Sequence, residues 1–345
     1  MCSHPRFLRP LTVLTLPPPL GKLDAPAIPG WAPAQRADPT KLPRLTVVTP
    51  SFNQAQYLEA TMRSVLEQGY PNLEYLVIDG NSRDRSVEII RYYAPFLSYW
   101  VSEPDSGQVE AIDKGLRRAT GEWFVWINSD DLLAPGALWK IAGCADDADL
   151  IAGATCHFDA AGLRQTYLPR NITCENVIRE LLQPGARWQQ PSTWFRTAKL
   201  RQLGLNRGLH FAFDYELMVR YLCHFPRVRY LDDTLAYFRL HDASKTVSQA
   251  PRFLQEQIQI YRELQQDAAL APVHAILDEV ERKLSWRIFA EALLDDRGRP
   301  RMSRVLELMR EVRRDPKIRC DRTARGVLRR LMVYGGRRSN SQVQR

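Results

Sequence analysis

Between residues 45 and 127, short apolar stretches of strand type alternate with stretches of helical periodicity, and this pattern restricts the fold more than any other feature of the chain. In the intervening stretches apolar residues recur at helical spacing, as Leu58, Met62 and Val65 do. Strands that alternate with helices of about 10 to 15 residues form right-handed β-α-β units. The sequence therefore predicts an α/β fold with a mostly parallel sheet flanked by helices. The predicted strands are residues 45–49, 73–79, 99–103 and 122–127.

Composition divides the chain into three parts. Ten of the 23 prolines fall within the first 44 residues, which predicts an extension without regular structure. Residues 45–250 form the predicted α/β domain, with a regular half at 45–148 and a less regular half at 149–250. From residue 251 to residue 345 only helical periods occur, so a helical C-terminal appendage is expected.

Positive charge is concentrated at the C-terminal end. The chain has a net charge of +9, but residues 297–345 contain 16 basic and 4 acidic residues and carry +12, whereas the other 296 residues carry −3. Short apolar faces in this region, such as Val327, Leu328, Leu331 and Met332, lie beside arginines. A basic amphipathic helix of this kind can attach to anionic lipid headgroups, and a solvated helix with a free end is an equally good interpretation. Nucleic-acid binding is unlikely, because no recognised reading motif accompanies the charge.

The six cysteines lie far apart, without a C-x-x-C pair or a metal-type spacing. This arrangement argues against a disulfide framework and against a zinc site, and it favours a reducing cytoplasm. No apolar run reaches the roughly 18 to 20 residues that a membrane-spanning helix needs. The expected location is therefore cytoplasmic, with peripheral contact at the inner face of the cytoplasmic membrane if the basic region binds lipid.

Polar loops follow all four predicted strands. Because parallel strands place their carboxyl ends at one edge of a sheet, these loops are expected to meet there and to bind a ligand. Any one of them, taken alone, is more typical of an ordinary turn or helix cap, and only the four together favour a ligand site. The loops comprise residues 49–53, 79–84, 103–108 and 128–131.

Adjacent carboxylates at Asp130 and Asp131 indicate a metal site. Two carboxylates at a strand end repel each other unless a cation offsets the repulsion, and Mg²⁺ or Mn²⁺ prefers oxygen ligands that it shares with phosphates. The alternative is that Asp131 caps the next helix while Asp130 stays solvated. Neither G-x-G-x-x-G nor G-x-x-x-x-G-K-[ST] follows a strand, which argues against an NAD site and against a P-loop ATPase.

From residue 45 to residue 247 the chain resembles the glycosyltransferase family 2 enzymes. Residues 49–53 match the family's T-P-[ST]-[FY]-N opening, and residues 79–84 match its D-G-x-S-x-D motif. Residues 128–131 are similar to its D-x-D region, although Asn128 replaces the first acid and a weaker metal site is expected. Residues 213–220 are similar to E-D-x-[DE]-L-x-x-R, with Phe213 in place of the first acid.

The resemblance implies a GT-A fold and a role for each motif. Asp214 would be the base that removes the proton of the acceptor hydroxyl, and Glu216 is a second choice in the same segment. The metal, Mn²⁺ or Mg²⁺, would be held by Asp130, Asp131 and His241. Donor-binding residues would be Thr49, Pro50, Ser51, Asp79, Ser82, Asp105, Gln108, Asn128 and Ser129. Acceptor-side residues would be Trp188, Gln190, Trp194 and Glu216.

These assignments predict an inverting glycosyltransferase. It would move a sugar from a nucleoside-diphosphate donor, expected to be of UDP type, to a glycan or lipid-linked acceptor in cell-surface polysaccharide or glycolipid synthesis. One alternative is a sugar-nucleotidyltransferase, although residues 49–53 lack the glycine and lysine that such a loop needs. Another is a non-catalytic membrane-binding or nucleic-acid-binding protein with a decayed transferase site, suggested by Asn128 and Phe213.

Overall fold

The structure is a computed structural model, which describes residues 16–20, 23, 25, 41–144, 147–183, 185–241, 250–296, 298–315 and 322–333. The chain forms two compact units, residues 1–257 and residues 258–345. The first unit contains the predicted α/β domain, and the second is helical. Most of the predicted proline-rich extension, 1–44, and the end of the basic region lie outside the described residues.

The first half of the sheet confirms the predicted alternation of strands and helices. Strands β1 to β4 pair in parallel in the order β3-β2-β1-β4. Each strand consists of buried or half-buried residues, as expected for a sheet covered on both faces. The elements are β1 (Leu45–Ser51), α1 (Ala55–Leu66), β2 (Leu73–Asp79), α2 (Ser86–Tyr93), a 3₁₀ turn (Ala94–Phe96), β3 (Tyr99–Ser102), α3 (Gln108–Arg118) and β4 (Trp123–Trp126).

The second half of this unit extends the same sheet with strands of both directions. The full order is β3-β2-β1-β4-β8-β6-β9-β5, with β7 paired to β6. β8 runs antiparallel to β4 and β6, whereas β6 and β9 are parallel. The elements are β5 (Leu132–Leu133), α4 (Ala137–Ala142), β6 (Leu150–Asp159), β7 (Gly162–Tyr167), α5 (Cys174–Arg179), a 3₁₀ turn (Gln190–Ser192), β8 (Thr193–Arg196), α6 (Thr197–Leu203), α7 (Phe213–His224) and β9 (Val228–Arg239).

Close backbone contact fixes α3 on the sheet. A Cβ atom at Gly115 of α3 would lie 2.6 Å from Val48 Cγ1, so only glycine allows the helix to approach β1 this closely. At the opposite end of the strands from the predicted ligand site, the Glu74 carboxylate accepts hydrogen bonds from the Thr46 and Thr120 hydroxyls and from the Thr120 backbone N–H. This carboxylate therefore ties β2 to β1 and to the turn before β4.

The cysteine prediction is wrong in one respect, because the structure contains a disulfide. Cys174 of α5 and Cys223 of α7 form a disulfide, with their Cα atoms 5.5 Å apart, whereas Cys144 and Cys156 are buried and not disulfide-bonded. Linear spacing did not reveal the pair, since 49 residues separate its members and only the packing of α5 against α7 brings them together. The expectation of a reducing compartment, which rested on that spacing, loses its basis.

The second unit consists of helices, as the periodicity predicts. They are α8 (Ala250–Leu264), which begins in the first unit, a 3₁₀ segment (Ala268–Val273), α9 (His274–Asp295), α10 (Arg301–Arg314) and α11 (Arg322–Val333). Val327 and Leu331, which the sequence analysis placed on a lipid-binding face, instead pack in the core with Trp286, Val305 and Leu308. Among the described residues, no helix is both long enough and apolar enough to span a bilayer.

Candidate active site

The four predicted loops lie together at the carboxyl ends of β1 to β4, and we call residues 51–54, 79–85, 102–108 and 127–131 the strand-end rim. Successive loops contact each other directly. The Asn53 backbone N–H donates to the Ser82 hydroxyl over 2.8 Å. A Cβ atom at Gly80 would lie 2.9 Å from an Asp105 carboxylate oxygen. The Gln108 side chain donates to Asn128 Oδ1 over 2.6 Å, so the rim forms one continuous surface.

Asp79 is the buried acid of this rim. Its carboxylate accepts hydrogen bonds from the Ser82 hydroxyl at 2.5 Å and from the Ser102 hydroxyl at 2.6 Å. Ser51 lies opposite Asp79 in the β1–β2 ladder, and its buried Oγ has no hydrogen-bond partner in the part of the chain that the structure describes. A buried hydroxyl without a partner is costly in a folded protein, and a bound ligand would remove that cost.

The other donor-binding candidates differ in what they can offer a ligand. Thr49 is fully buried and its hydroxyl pairs with the Tyr75 hydroxyl at 2.9 Å, so its side chain has a structural role. Pro50 and Ser129 are also buried, and the Ser129 carbonyl accepts a hydrogen bond from Thr61. The half-buried Asp105 has a raised pKa, caused mainly by burial.

Asp130 and His241 form a pair at the end of the rim. His241 Nε2 lies 3.0 Å from Asp130 Oδ2, and both side chains are partly exposed. His241 follows β9 directly, so the pairing of β9 with β5 and β6 brings it to the loop after β4. The aromatic ring of Tyr57, in α1, packs against the His241 ring at a centroid distance of 5.1 Å.

Asp131 lies behind this pair and does not cap α4, whose N-cap is Gly136. It is 1% exposed, and its carboxylate accepts the Arg239 backbone N–H at 3.0 Å. Burial, followed by the charge of Asp130, raises the pKa of Asp131 well above its usual range. Asp131 therefore supports the loop from within, whereas Asp130 and His241 present their polar atoms at the surface.

Asp214 lies near the start of α7. Phe213 contacts Trp126 of β4 at a ring-centroid distance of 5.9 Å, and a Cβ atom at Gly107 would lie 3.8 Å from His210 Nδ1. These two contacts place the start of α7 beside the strand-end rim. Burial raises the pKa of Asp214 to about 6, opposed by the Tyr215 backbone N–H and assisted by the negative charge of Glu256.

Glu256, in α8, holds the segment before Asp214. Its carboxylate accepts hydrogen bonds from the backbone N–H groups of His210, Phe211 and Ala212, each at 2.7 Å. Sequence reasoning missed this residue, because it is 44 residues from Ala212 and no local pattern marks it. It is a positioning residue for the segment that carries Asp214.

The predicted acceptor-side residues do not form one group. Trp194 is fully buried in the core of the sheet, so it cannot stack on a sugar. Glu216 is buried and ion-paired with Arg220 at 2.5 Å, which commits both of its carboxylate oxygens. Gln190 does reach the rim, donating to the Trp126 carbonyl at 2.7 Å and accepting from Asn128 at 3.5 Å. Trp188 is half-buried two residues away.

A half-buried aromatic cluster beside Gln189 was not predicted. The His157 ring lies 4.4 Å from the Tyr167 ring and 5.0 Å from the Phe238 ring, and His157 Nε2 is 3.4 Å from Gln189 Oε1. Burial lowers the pKa of His157, which favours its neutral form. Because Gln190 contacts Asn128, the cluster is next to the rim. The sequence signal that could have grouped these residues is the alternation of side chains between the two faces of the sheet along β6, β7 and β9.

A mostly parallel sheet whose strand-end loops hold a buried acid and a carboxylate–imidazole pair, with a further acid on a neighbouring helix, is typical of the GT-A fold of glycosyltransferases. The sequence profile described as glycosyl transferase family 2 matches residues 46–214. Residues 46–214 are therefore a glycosyltransferase family 2 domain, and the protein is a glycosyltransferase.

Three known proteins illustrate the similarity. A putative teichuronic acid biosynthesis glycosyltransferase, TuaG of Bacillus subtilis, is 30% identical over 154 residues, which are 41% of this chain and 59% of TuaG. TarS residues 1–349 of S. aureus, solved with UDP-GlcNAc, superpose with a TM-score of 0.55 at 21% identity over 69% of this chain and 71% of that one. The mannosyltransferase PcManGT of Pyrobaculum calidifontis, solved with GDP-Man and Mn²⁺, superposes with a TM-score of 0.54 at 22% identity. The superposition covers 90% of this chain and 88% of PcManGT. The two structures confirm the GT-A fold.

Two of the three predicted metal ligands fit a divalent cation. A carboxylate and an imidazole at one point of the rim, Asp130 and His241, are ligands that suit Mn²⁺. No group of three such residues occurs in the described part of the chain, so the remaining ligands would have to come from phosphate oxygens and water. That requirement suits a metal that arrives with a nucleoside diphosphate.

Proposed function

We propose that this protein transfers a sugar, with inversion, from a nucleoside-diphosphate donor of UDP type to a hydroxyl of a glycan or lipid-linked acceptor. The observation that carries the proposal is that Asp79 and Asp130 lie in the strand-end rim, that His241 pairs with Asp130, and that the start of α7, which carries Asp214, lies beside the rim. The family profile and the GT-A neighbours support the same chemistry. The teichuronic acid assignment of TuaG supports a place in cell-surface polysaccharide or glycolipid synthesis.

Donor binding would use the inner part of the rim. The nucleoside would lie over the ends of the adjacent central strands β1 and β2. Asp79, whose two carboxylate oxygens already accept hydrogen bonds from Ser82 and Ser102, would position this surface. The Ser51 hydroxyl, which has no hydrogen-bond partner among the described residues, would bind the nucleoside. Ser82, Asp105, Gln108 and Asn128 hold the loops in register around that position. The neighbours contain UDP-GlcNAc and GDP-Man, which supports a nucleoside-diphosphate sugar as the donor class.

Asp130 and His241 would hold Mn²⁺ or Mg²⁺, with Asp131 keeping the loop in place through Arg239. When bound, the cation offsets the negative charge that develops on the departing nucleoside diphosphate. Asn128, where many family members have an acid, donates to Asp131 and accepts from Gln108, so it organises the site as a neutral amide.

Asp214 would take the proton of the attacking hydroxyl. A general base works best when its pKa lies near the working pH, and burial raises the pKa of Asp214 to about 6. Phe213 contributes to this environment by packing on Trp126. A single displacement then needs no covalent enzyme intermediate, because one carboxylate activates the acceptor and the diphosphate leaves as an anion.

The acceptor would approach over the aromatic cluster of His157, Tyr167 and Phe238. Flat rings beside the amides of Gln189 and Gln190 combine apolar faces with hydrogen-bonding groups, a combination that suits a sugar ring. This cluster takes the place of Trp194 and Glu216 as the acceptor-side surface.

The test is release of UDP from UDP-GlcNAc, with GDP-mannose as the second donor, in the presence of Mn²⁺. Asp214→Asn should reduce release by about 10²-fold or more while donor binding is nearly unchanged. Asp130→Ala should weaken metal-dependent donor binding. Asp147→Asn is the matched control, because the Asp147 side chain is fully exposed.

Two outcomes would contradict this function. Equal release by the wild type and Asp214→Asn would remove the assigned base. No release from either donor above the Asp130→Ala level would favour a decayed site over an active transferase.

A further inference from the structure

The second unit carries an exposed apolar stripe on α10. Met302, Leu306 and Met309 are 61%, 56% and 42% exposed, and their spacing places them along one face of the helix. An adjoining face of α10 packs Val305 and Leu308 into the core of the unit. The stripe is therefore additional to the face that stabilises the fold.

Positive charge borders the stripe on the exposed side of α10. Arg313 follows Met309 by four residues and so continues the stripe, and Arg310 lies next to it at 100° per residue. Both arginines are exposed, and neither has an ion-pair partner among the residues that the structure describes. The two glutamates of the helix, Glu307 and Glu311, lie away from the stripe, where they pair with Arg299 and Arg314.

The neighbouring helix α11 adds to this charge. It contains four arginines and no acidic residue, and it packs against α10. Arg325, Arg329 and Met332 are exposed and share one face at helical spacing, with Met332 49% exposed. Exposed apolar side chains beside exposed arginines are therefore present on both helices.

We propose that the α10 stripe and its arginines form a docking surface for an anionic phospholipid bilayer. Apolar side chains that project from a basic surface enter the acyl boundary of a membrane, while guanidinium groups contact lipid phosphates. The charge of this region indicates the kind of partner. Residues 297–345 carry +12, so two copies of this face would repel each other, whereas an anionic membrane would attract it. The surface differs from the predicted one, because Val327 and Leu331 are in the core.

This proposal does not depend on the transfer reaction and is tested with the full chain alone. The protein is sedimented with vesicles of phosphatidylcholine, or of phosphatidylcholine with about one quarter phosphatidylglycerol. We expect binding to the anionic vesicles only. Arg310→Gln with Arg313→Gln should weaken it about 30-fold, since each basic residue near a charged membrane contributes about a factor of five. Met302→Ser, Leu306→Ser and Met309→Ser together should weaken it at least as much.

Matched controls come from the first unit. Leu163 is 47% exposed and Arg229 is exposed, so Leu163→Ser and Arg229→Gln remove one apolar group and one charge elsewhere. These variants should bind vesicles as the wild type does. Unchanged binding by both sets of α10 variants would overturn the proposal, as would a wild type that binds neither vesicle. Gel filtration showing a dimer that the triple serine variant disrupts would assign the stripe to a second copy of the chain instead.

Discussion

At the residue scale, the proposed transfer reaction depends on which carboxylates are buried and which are exposed. Asp79 and Asp131 are buried and accept hydrogen bonds, Asp130 faces His241 at the surface, and Asp214 is partly buried beside a second negative charge. Sequence motifs singled out all four as candidates, because each follows a strand or lies at the start of a helix in a recognisable order. They could not identify Glu256, which acts through tertiary contact, or exclude Trp194, whose burial depends on the strands that flank β8.

The raised pKa of Asp214 predicts how turnover depends on pH. A base must be ionised to accept a proton, so UDP release should rise with pH through a midpoint at about 6. Below that value Asp214 holds a proton and turnover is lost, whereas above it turnover reaches a plateau. The pH profile of kcat/KM measures the midpoint in the free enzyme.

A substitution of Glu256 tests whether the pKa of Asp214 sets this pH profile. Its negative charge raises the pKa of Asp214, so Glu256→Gln should move the acidic limb to lower pH. Glu263→Gln, on the exposed side of the same helix, is the control and should leave the limb in place. An unmoved limb in Glu256→Gln, with a normal melting temperature, would show that Glu256 has no electrostatic influence on the base.

At the element scale, the β-α-β part of the fold was predictable and the remainder was not. Strands β1 to β4 are separated by helices, and each has a local pattern that specifies its type. β6, β8 and β9 pair in both directions across long separations, and their order in the sheet is decided by packing that no local pattern records. The disulfide between α5 and α7 likewise depends on packing between distant segments that no local pattern records.

Two helical glycines should respond to alanine in opposite directions. In α3, Gly115→Ala places a methyl group 2.6 Å from Val48 and should lower the free energy of unfolding by about 1–3 kcal/mol, despite the better helix propensity of alanine. In α11, a Cβ atom at Gly326 would have no heavy atom of the described residues within 4 Å. Gly326→Ala should therefore raise the free energy of unfolding by up to about 1 kcal/mol. Urea unfolding of both variants measures the difference, and stabilisation by both would show that α3 can move away from β1.

At the scale of the whole molecule, the candidate site and the basic surface belong to different compact units. Residues 45–241 contain every group of the proposed transfer site, and the α10 stripe lies in residues 258–345. The sequence analysis begins the helical region at residue 251, where only helical periods follow, and the two compact units divide at residue 257. The exposed stripe could not be foreseen, because the buried and exposed apolar faces of α10 have the same composition.

A donor nucleotide should therefore stabilise one unit selectively. Calorimetry of the full chain is expected to show two transitions, of which UDP with Mn²⁺ raises only the one that belongs to the first unit. At about 100 times the Kd the added stability is about 2.7 kcal/mol. Asp130→Ala should reduce this shift, and an equal rise of both transitions would indicate that the units unfold together.

The contacts from Asn53 to Ser82, from Gly80 to Asp105 and from Gln108 to Asn128 have a consequence for engineering donor preference. Each loop contacts the next one. Replacing a single loop with that of a relative would therefore leave it mismatched to the neighbouring loops that it contacts. Swaps that move all four segments as a block should retain activity where piecemeal swaps lose it, and natural relatives should differ in these segments together.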